Sequence, residues 1–262
     1  VEGISVQLLP DSPILPNDQA VRITVSFPEL QRAPEDLRLL IDASPGRIRA
    51  IRRIDALTWT ADYIPDPKIG SAMAAILVSA HMNGQWRHRS LPMPIRIAKR
   101  VAVKASSGSM VELRIGNRQL PPKLADNRRA VFDVVLSPHE RDGVAVIKRG
   151  ARTSQKRLRL LPDPHYGIAV FSQPRALITD GRTPAQLRVA AFDTAAAPLG
   201  VEHFRFQTTG GEVEALKSAL AGLKTTQVWP PAKVGEGKFA LSVSLAKPAI
   251  SLPRALDYTV KA

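Results

Sequence analysis

The sequence predicts an all-β protein made of three β-sandwiches in tandem. Three observations indicate this: short runs in which apolar and polar residues alternate, turn residues between those runs, and almost no stretch with helical periodicity. The 262 residues include 22 Pro and 16 Gly, spread along the chain rather than clustered. Strands about 8–12 residues apart with so little helix are typical of sandwiches and not of α/β proteins.

Residues 1–98 form the predicted first sandwich. The stretches 21–27 and 57–63 alternate between apolar and polar residues, so each predicts a strand with one face in a core. The run AMAAILVSA at 72–80 has the length of a buried strand and falls far short of the roughly 20 residues that span a bilayer. After it, Asn83-Gly84 predicts a hairpin turn into an edge strand broken by proline.

Residues 99–165 form the predicted second sandwich, which is short and basic, and residues 166–262 form the third. Strands of the second are expected at MVELRIG, AVFDVVLSP, GVAVIK and KRLRLLP, and the clearest strand of the third is KFALSVSLA. The stretch VEALKSALAGL at 213–223 predicts a brief helix. The short segments AKR (98–100) and DPHYG (163–167) are expected to be linkers that keep the sandwiches semi-rigid, as in a rod.

Residues 178–211 contain the most specific motif of the chain. It consists of a turn at Thr179-Asp180-Gly181, a strand from Ala185 to Asp193, a turn at Pro198-Leu199-Gly200-Val201 and a strand from Phe206 to Gly211. This arrangement resembles the bacterial Ig-like domains of the invasin and intimin type. The first two domains are similar to bacterial Ig-like modules more loosely, through residues 59–80 and the Asp126-Asn127 turn. The resemblance implies three tandem Ig-like β-sandwich domains and a spacer, adhesive or assembly module of the bacterial envelope without a cofactor.

Residue types that carry chemistry are sparse, and the sequence predicts no catalytic, cofactor-binding or metal-binding residue. There is no Cys, which excludes disulfides, Cys-ligated zinc and thiol catalysis. The histidines lack the spacing of a zinc protease and are expected to be exposed to solvent; they are His81, His88, His139, His165 and His203. No nucleophile elbow or glycine-rich phosphate loop occurs. We therefore expect a protein that is not an enzyme, the alternative being an accessory segment of a longer enzyme.

The net charge of +14 is distributed unevenly. It is +1 for residues 1–98, +9 for residues 99–165 and +4 for residues 166–262. The excess in the second sandwich comes largely from a candidate site for a polyanion or a partner, made of Arg128, Arg129, Lys148, Arg149, Arg152, Lys156, Arg157 and Arg159. Because Arg157 and Arg159 alternate with leucines, the last strand is expected to have a basic outer face.

A basic face of this kind attracts polyanions such as lipopolysaccharide phosphates, acidic glycans and anionic lipid headgroups. Nucleic acid is disfavoured, because no aromatic residue is interleaved with the cluster to stack on bases. A plain solvated surface and an acidic protein neighbour are the other interpretations. Trp229, in a predicted loop before two prolines, is a candidate anchor for a partner, or packs over the end of a sandwich.

The resemblance implies one function, and the charge distribution indicates another. The first is a non-catalytic cell-envelope protein that acts as a spacer and protein-interaction module, for assembly or adhesion, with other envelope proteins as partners. The second is a binding module for anionic polysaccharide or lipid headgroups, centred on the basic second sandwich. No transmembrane segment is predicted. The chain starts VEGISVQLLP, so we expect a removed signal peptide and a periplasmic or cell-surface location.

Overall fold

The computed structural model describes residues 3–66, 68–178, 183–219, 222–231, 237–246 and 253–261. Within these ranges the structure has 24 strands, one 3₁₀ turn at Val201–His203 and no α-helix. The predicted all-β fold is therefore confirmed. The Thr179-Asp180-Gly181 turn of the sequence motif lies outside the described residues.

The first sandwich has the strand order of an immunoglobulin domain. Its strands are β1 (Ser5–Leu9), β2 (Ile14–Leu15), β3 (Val21–Ser26), β4 (Arg38–Ser44), β5 (Arg47–Arg53), β6 (Thr58–Ile64), β7 (Ala72–Met82) and β8 (Gln85–Lys104). One sheet has the order β1-β3-β6-β5, and the other contains β2, β8, β7 and β4. These correspond to strands A, B, E, D and A′, G, F, C of an Ig-like domain. Trp59 and Tyr63 lie in the core between the sheets, as the alternation predicts.

The second sandwich is smaller and shares a strand with the first. It adds β9 (Met110–Ile115), β10 (Arg118–Gln119), β11 (Lys123–Leu124), β12 (Arg129–Leu136), β13 (Asp142–Arg149) and β14 (Arg152–Arg159). One sheet has the order β10-β9-β13-β14, with β11 on β9, and faces the pair of β12 and β8. Residues 85–95 of β8 pair with β7, whereas residues 97–104 pair with β12. The segment AKR is thus inside a continuous strand, and the expectation of a linker there is wrong.

The strand β8 also runs through Pro92 and Pro94, so the expected break at these prolines is wrong as well. They lie opposite Ala75 and Met73 of β7. Arg96 lies two residues after Pro94, so the backbone N–H groups of both positions would point to the same side of the strand. The N–H of Arg96 donates to Pro13 O at 2.9 Å, on the side away from β7. The N–H groups that the two prolines lack would have pointed to that edge, so no hydrogen bond with β7 is lost.

The third sandwich repeats the Ig strand order. After β15 (His165–Tyr166) come β16 (Ala169–Gln173), β17 (Ala176–Ile178), β18 (Ala185–Ala190), β19 (Phe204–Thr208), β20 (Glu212–Val213), β21 (Lys217–Ser218), β22 (Lys224–Trp229), β23 (Gly237–Leu245) and β24 (Arg254–Lys261). The sheets have the orders β16-β18-β22-β20 and β17-β24-β23-β19. The Ig-like prediction is confirmed.

Two features of the third sandwich test the sequence patterns directly. Gly211 has φ +71°, and a Cβ there would lie 2.3 Å from Trp229 O, so this position needs glycine, as the Gly-Gly motif predicts. The helix expected at 213–223 is wrong. Its described residues include β20 and β21, which pair with β22, because the sheet edge offers them hydrogen bonds and a core to pack on.

The third sandwich packs directly on the first. Strand β7 is buried on both faces. One face joins the core of the first sandwich, and on the other Met73, Ala75 and Leu77 join the core of the third. The expected linker DPHYG is part of this contact, since β15 pairs in parallel with the start of β7. The expectation of a rod of successive sandwiches is therefore wrong.

Polar contacts fix the alignment of the first and third sandwiches. Asp42 on β4 pairs with Arg254 of β24 and accepts a hydrogen bond from Val170 N at 2.8 Å. Burial raises the pKa of Asp42, although Arg254 acts in the opposite direction. Removal of either partner would leave a desolvated charge at this contact.

Gly167 provides a direct test of the contact between these sandwiches. Its N–H donates to Met73 O at 2.8 Å, and a Cβ there would lie 1.5 Å from Ser44 O. We expect Gly167→Ala to lower the free energy of unfolding by about 1–3 kcal/mol, because backbone must move to admit the methyl group. Calorimetry would measure the shift. Gly210→Ala is the matched control, since its Cβ would meet Phe239 Cβ at an ordinary 3.4 Å; equal effects would contradict the proposed close approach.

Candidate functional site

One end of the second sandwich concentrates positive charge. Strand β8 ends at this end, β9, β12 and β14 begin there, and β11 pairs with the start of β9. The segments 104–110, 123–129 and 148–152 therefore meet. They hold seven basic residues and one acidic residue, Asp126. We call this group the basic end: Lys104, Lys123, Arg128, Arg129, Lys148, Arg149 and Arg152.

The structure divides the eight predicted basic residues. Five belong to the basic end, whereas Lys156, Arg157 and Arg159 lie along β14 away from it. Arg157 and Arg159 are exposed, and Leu158 between them packs against the core. Strand β14 is the edge of its sheet. Charges on an edge strand disfavour pairing with other chains, which is a structural role for these three residues; their role in binding stays a prediction.

The basic end differs from the rest of the second sandwich in its ion pairs. Five arginines elsewhere in this sandwich have carboxylate partners: Arg100, Arg114, Arg118, Arg141 and Arg159. Among the described residues, none of the seven basic side chains of the basic end has a carboxylate within 4.0 Å. The carboxylate of Asp126 instead accepts a hydrogen bond from Asn127 N at 2.8 Å.

Like charges also face each other across the strands here. Arg129 lies opposite Lys104 in the β12–β8 pair, and Arg149 lies opposite Arg152 beside the β13–β14 turn. Like charges at directly opposite positions destabilise a sheet, by about 0.2–1 kcal/mol per pair. The arrangement therefore costs stability, and an anion bound between these side chains would reverse the sign of the interaction.

A groove of about 520 Å³ opens at the basic end. Two guanidinium groups and four hydroxyl-bearing residues line it: Arg149, Arg152, Ser106, Ser109, Thr153 and Ser154. Guanidinium and hydroxyl groups are donors that suit phosphate, sulfate or carboxylate oxygens. Lys104 and Lys123 belong to this end but were missed by the sequence analysis, because they are far in sequence from the cluster at 148–159. Only the strand pairing brings them together.

Strand β5 of the first sandwich is a second basic surface that the sequence analysis missed. Arg47, Arg49, Arg52 and Arg53 are exposed on this edge strand. These arginines are evident in the sequence RIRAIRR at 47–53. They were overlooked because acidic residues elsewhere in 1–98 reduce the net charge of that segment to +1. Arg53 is engaged within the fold: it donates to the carbonyls of Asp55 and Ala56 and lies over the ring of Trp59.

Trp229 is placed differently from the prediction. It is the last residue of β22 and not part of a loop, it is half-buried, and its Nε1–H donates to Glu214 Oε1 at 2.8 Å. Its polar group is therefore satisfied within the third sandwich. A role as an anchor for a partner stays a prediction, and the loop position on which it depended is wrong.

His88 is the buried histidine that departs from the expectation of solvent exposure. It is 6% exposed, at the contact of the first and third sandwiches, with Nδ1 2.9 Å from Ser79 Oγ and its ring against Phe171. Ser79 is 1% exposed, so no substrate reaches this Ser–His pair. Among the described residues no group of three His, Asp or Glu side chains is placed to hold a metal, and no helix is long and apolar enough to cross a bilayer.

No model of a protein family matches the sequence, and no curated protein matches it. Several solved structures are similar to the chain. A three-Ig fragment of titin is 8% identical, with a TM-score of 0.39, over 100% of this chain and 99% of that one. Invasin, a bacterial integrin-binding protein, is 12% identical, with a TM-score of 0.31, over 86% of this chain and 39% of that one. A β-glycosidase from Bacteroides vulgatus is 13% identical, with a TM-score of 0.30, over 74% of this chain and 23% of that one.

His88 is expected to make stability depend on acid pH. Burial, and the charge of Arg188, lower the pKa of His88 from 6.5 to about 3. An unfolded chain takes up a proton below pH 6.5 that the folded chain excludes until about pH 3. The free energy of unfolding should thus fall by about 1.4 kcal/mol per pH unit within this window as the pH decreases.

Urea unfolding of wild type and His88→Gln between pH 6.5 and pH 4 would measure this contribution. The variant should lose the slope that belongs to His88, whereas His139→Gln, at an exposed position, should keep the wild-type profile. An unchanged profile in His88→Gln would show that this ring is not the group that titrates.

Proposed function

We propose that the chain is a non-catalytic binding protein of the bacterial cell envelope whose second sandwich binds polyanions through the basic end. The observation that carries the proposal is the contrast in ion pairing. Five of the eight basic side chains elsewhere in the second sandwich have carboxylate partners, whereas the seven basic side chains of the basic end have none among the described residues. Clustered cations without counter-charges attract ligands with several phosphate, sulfate or carboxylate groups.

A wholly structural explanation accounts poorly for this arrangement. Edge protection explains charges along β14, and it also applies to Arg129 and Lys123 on the outer strands β12 and β11. It does not apply to Lys148 and Arg149, which lie on the inner strand β13. Repulsion between Arg129 and Lys104, and between Arg149 and Arg152, lowers stability. Residues that lower stability while facing solvent are typical of binding sites.

The envelope location is part of the proposal. The motif at 185–211 resembles bacterial envelope Ig-like domains, and this resemblance supports the location. Phosphorylated lipids and acidic glycans are abundant polyanions of that compartment. The first and third sandwiches would then act as the scaffold that holds the basic end away from their shared interface.

Charge removal at the basic end is expected to reduce polyanion binding. Arg128→Gln, Arg149→Gln and Arg152→Gln together should weaken binding of heparin, a sulfated probe, by about 100-fold, since each basic residue at an anionic surface contributes about 1 kcal/mol. Fluorescence anisotropy with labelled heparin would measure the affinity. The same variant should unfold at an equal or higher temperature than wild type, because repulsion at the β13–β14 turn is relieved.

The matched control removes the same number of charges from β5: Arg47→Gln, Arg49→Gln and Arg52→Gln. These residues are also exposed arginines on an edge strand. Wild type and control should bind heparin alike and lose affinity steeply between about 50 and 200 mM salt. Equal losses in the two variants would mean that net charge, and not the basic end, attracts the probe.

A second candidate function is docking of a protein partner on the exposed side chains of β5. The specific observation is that this strand exposes Ile51 (44%) among its arginines and is followed by exposed Ile54 (61%). A partner with an apolar patch and acidic neighbours would complement these side chains. Capture by immobilised protein from an envelope extract at high salt should retain such a partner, and Ile51→Asp should abolish that retention.

A further inference from the structure

We propose that the ligand of the basic end is an anionic lipid bilayer, into which Met110 and Leu124 insert. This inference rests on the proposed function and assigns its polyanion. Met110 is 43% exposed and Leu124 is 63% exposed. The two residues are direct cross-strand partners in the β11–β9 pair, and Met110 also lies opposite Lys148 of β13. Two aliphatic side chains therefore project side by side from the midst of the basic cluster.

Chance exposure accounts poorly for this placement. Seven large hydrophobic residues are exposed among the described residues, and the two in the second sandwich are both at the basic end. Scattered single hydrophobic residues are normal on a surface, but an adjacent aliphatic pair ringed by cations combines the two attractions of a peripheral membrane protein, apolar burial and anionic headgroups. Apolar burial is larger in a bilayer than on a soluble, hydrated glycan.

The position in the fold leaves the basic end free to approach a surface. Because β8 runs from the first sandwich into the second and ends at Lys104, the basic end is the end of the second sandwich that points away from the first. The eight residues 97–104 of this strand extend about 25 Å. The third sandwich follows β14, which runs back from the basic end, and packs on the first. Neither sandwich therefore lies between the basic end and a bilayer.

The side chains at the basic end suit the interface of an anionic bilayer, because cationic and aliphatic groups stand next to each other there. The loop between β8 and β9 contains small residues, Ala105 to Gly108, and a Cβ at Gly108 would meet no atom within 4 Å. Lysine and arginine side chains reach sideways to headgroup phosphates while aliphatic side chains enter the acyl boundary. Membrane binding strengthens with buried apolar area and with attraction to anionic lipids, so the two contributions at the basic end add.

Vesicle flotation of the full chain tests the inference. Vesicles of phosphatidylcholine alone are compared with vesicles that contain about 30% phosphatidylglycerol, a content that gives a strongly negative surface. We expect wild type to float only with the anionic vesicles. Met110→Ser with Leu124→Ser should lower the partition coefficient about tenfold while heparin binding is unchanged, because no charge is removed. Leu9→Ser with Ile178→Ser, also exposed aliphatic residues, should leave flotation unchanged.

A second measurement reports insertion directly. The chain contains no Cys, so Leu124→Cys gives a single site for a polarity-sensitive dye, and Leu9→Cys gives a control site. Emission from position 124 should shift to the blue with anionic vesicles, and emission from position 9 should not. This readout does not depend on the stability of the serine variant.

The outcomes separate the inference from the function on which it rests. Heparin binding without flotation or a blue shift would overturn the bilayer while the polyanion site stands. Flotation that the serine variant retains in full, without a blue shift at position 124, would limit the contact to headgroups and overturn insertion. If wild type neither binds heparin nor floats with anionic vesicles, the proposed function itself is overturned.

Discussion

The structure depends on the burial of strand β7 on both faces. The even-numbered residues of 72–82 lie on one face of β7 and pack in the core of the first sandwich. On the other face, Met73, Ala75 and Leu77 pack in the core of the third. A first sandwich on its own would expose that second face, which lacks polar residues as far as Ser79. Burial of such an apolar face is the dominant favourable term in this kind of packing. The third sandwich therefore packs on the first and buries the second face of β7.

The partner strand β8 determines where the second sandwich lies. It leaves β7 at about Ile95 and continues without a break as the first strand of the next sandwich. A continuous strand transmits direction in a way that a loop does not, because its backbone hydrogen bonds are fixed on both sides of the boundary. One end of the second sandwich is thus anchored to the first, and the opposite, basic end projects outward. The asymmetry of charge follows this asymmetry of position.

Sequence patterns anticipated the strands better than their connections. Alternation placed the core residues Trp59 and Tyr63, and the apolar run at 72–80 indicated a buried strand, because periodicity reports local burial. The prolines of β8 suggested a break in the strand. A proline removes a hydrogen bond only when its missing N–H would face a paired strand, and the sequence does not show which side of β8 is paired. The sequence of 213–223 predicted a helix because of its helical propensity. In the structure, pairing of β20 and β21 with β22 outweighs that propensity.

The candidate site shows the same limit. A charge cluster at 148–159 is visible in the sequence, but the strand pairing separates Lys156, Arg157 and Arg159 from the rest and adds Lys104 and Lys123. The exposed pair of Met110 and Leu124 is formed by residues 14 positions apart, each of which looks like an ordinary strand residue. Only the register across β9 and β11 makes them neighbours.

Comparison of the two basic surfaces gives the reason for proposing the basic end, and not β5, as the polyanion site. On β5, Arg53 is held by the carbonyls of Asp55 and Ala56 and by the ring of Trp59, so part of its charge already has partners within the fold. At the basic end, Lys123 is held in a similar way by Val131 O and the ring of Phe132. Arg149 and Arg152, however, face each other across a tight turn, with hydroxyl groups rather than carboxylates beside them. Side chains held by the fold have less to gain from a ligand than side chains that repel each other without one. A ligand that supplies both negative charge and an apolar interior would relieve the repulsion and cover Met110 and Leu124 at once, and an anionic bilayer has both properties.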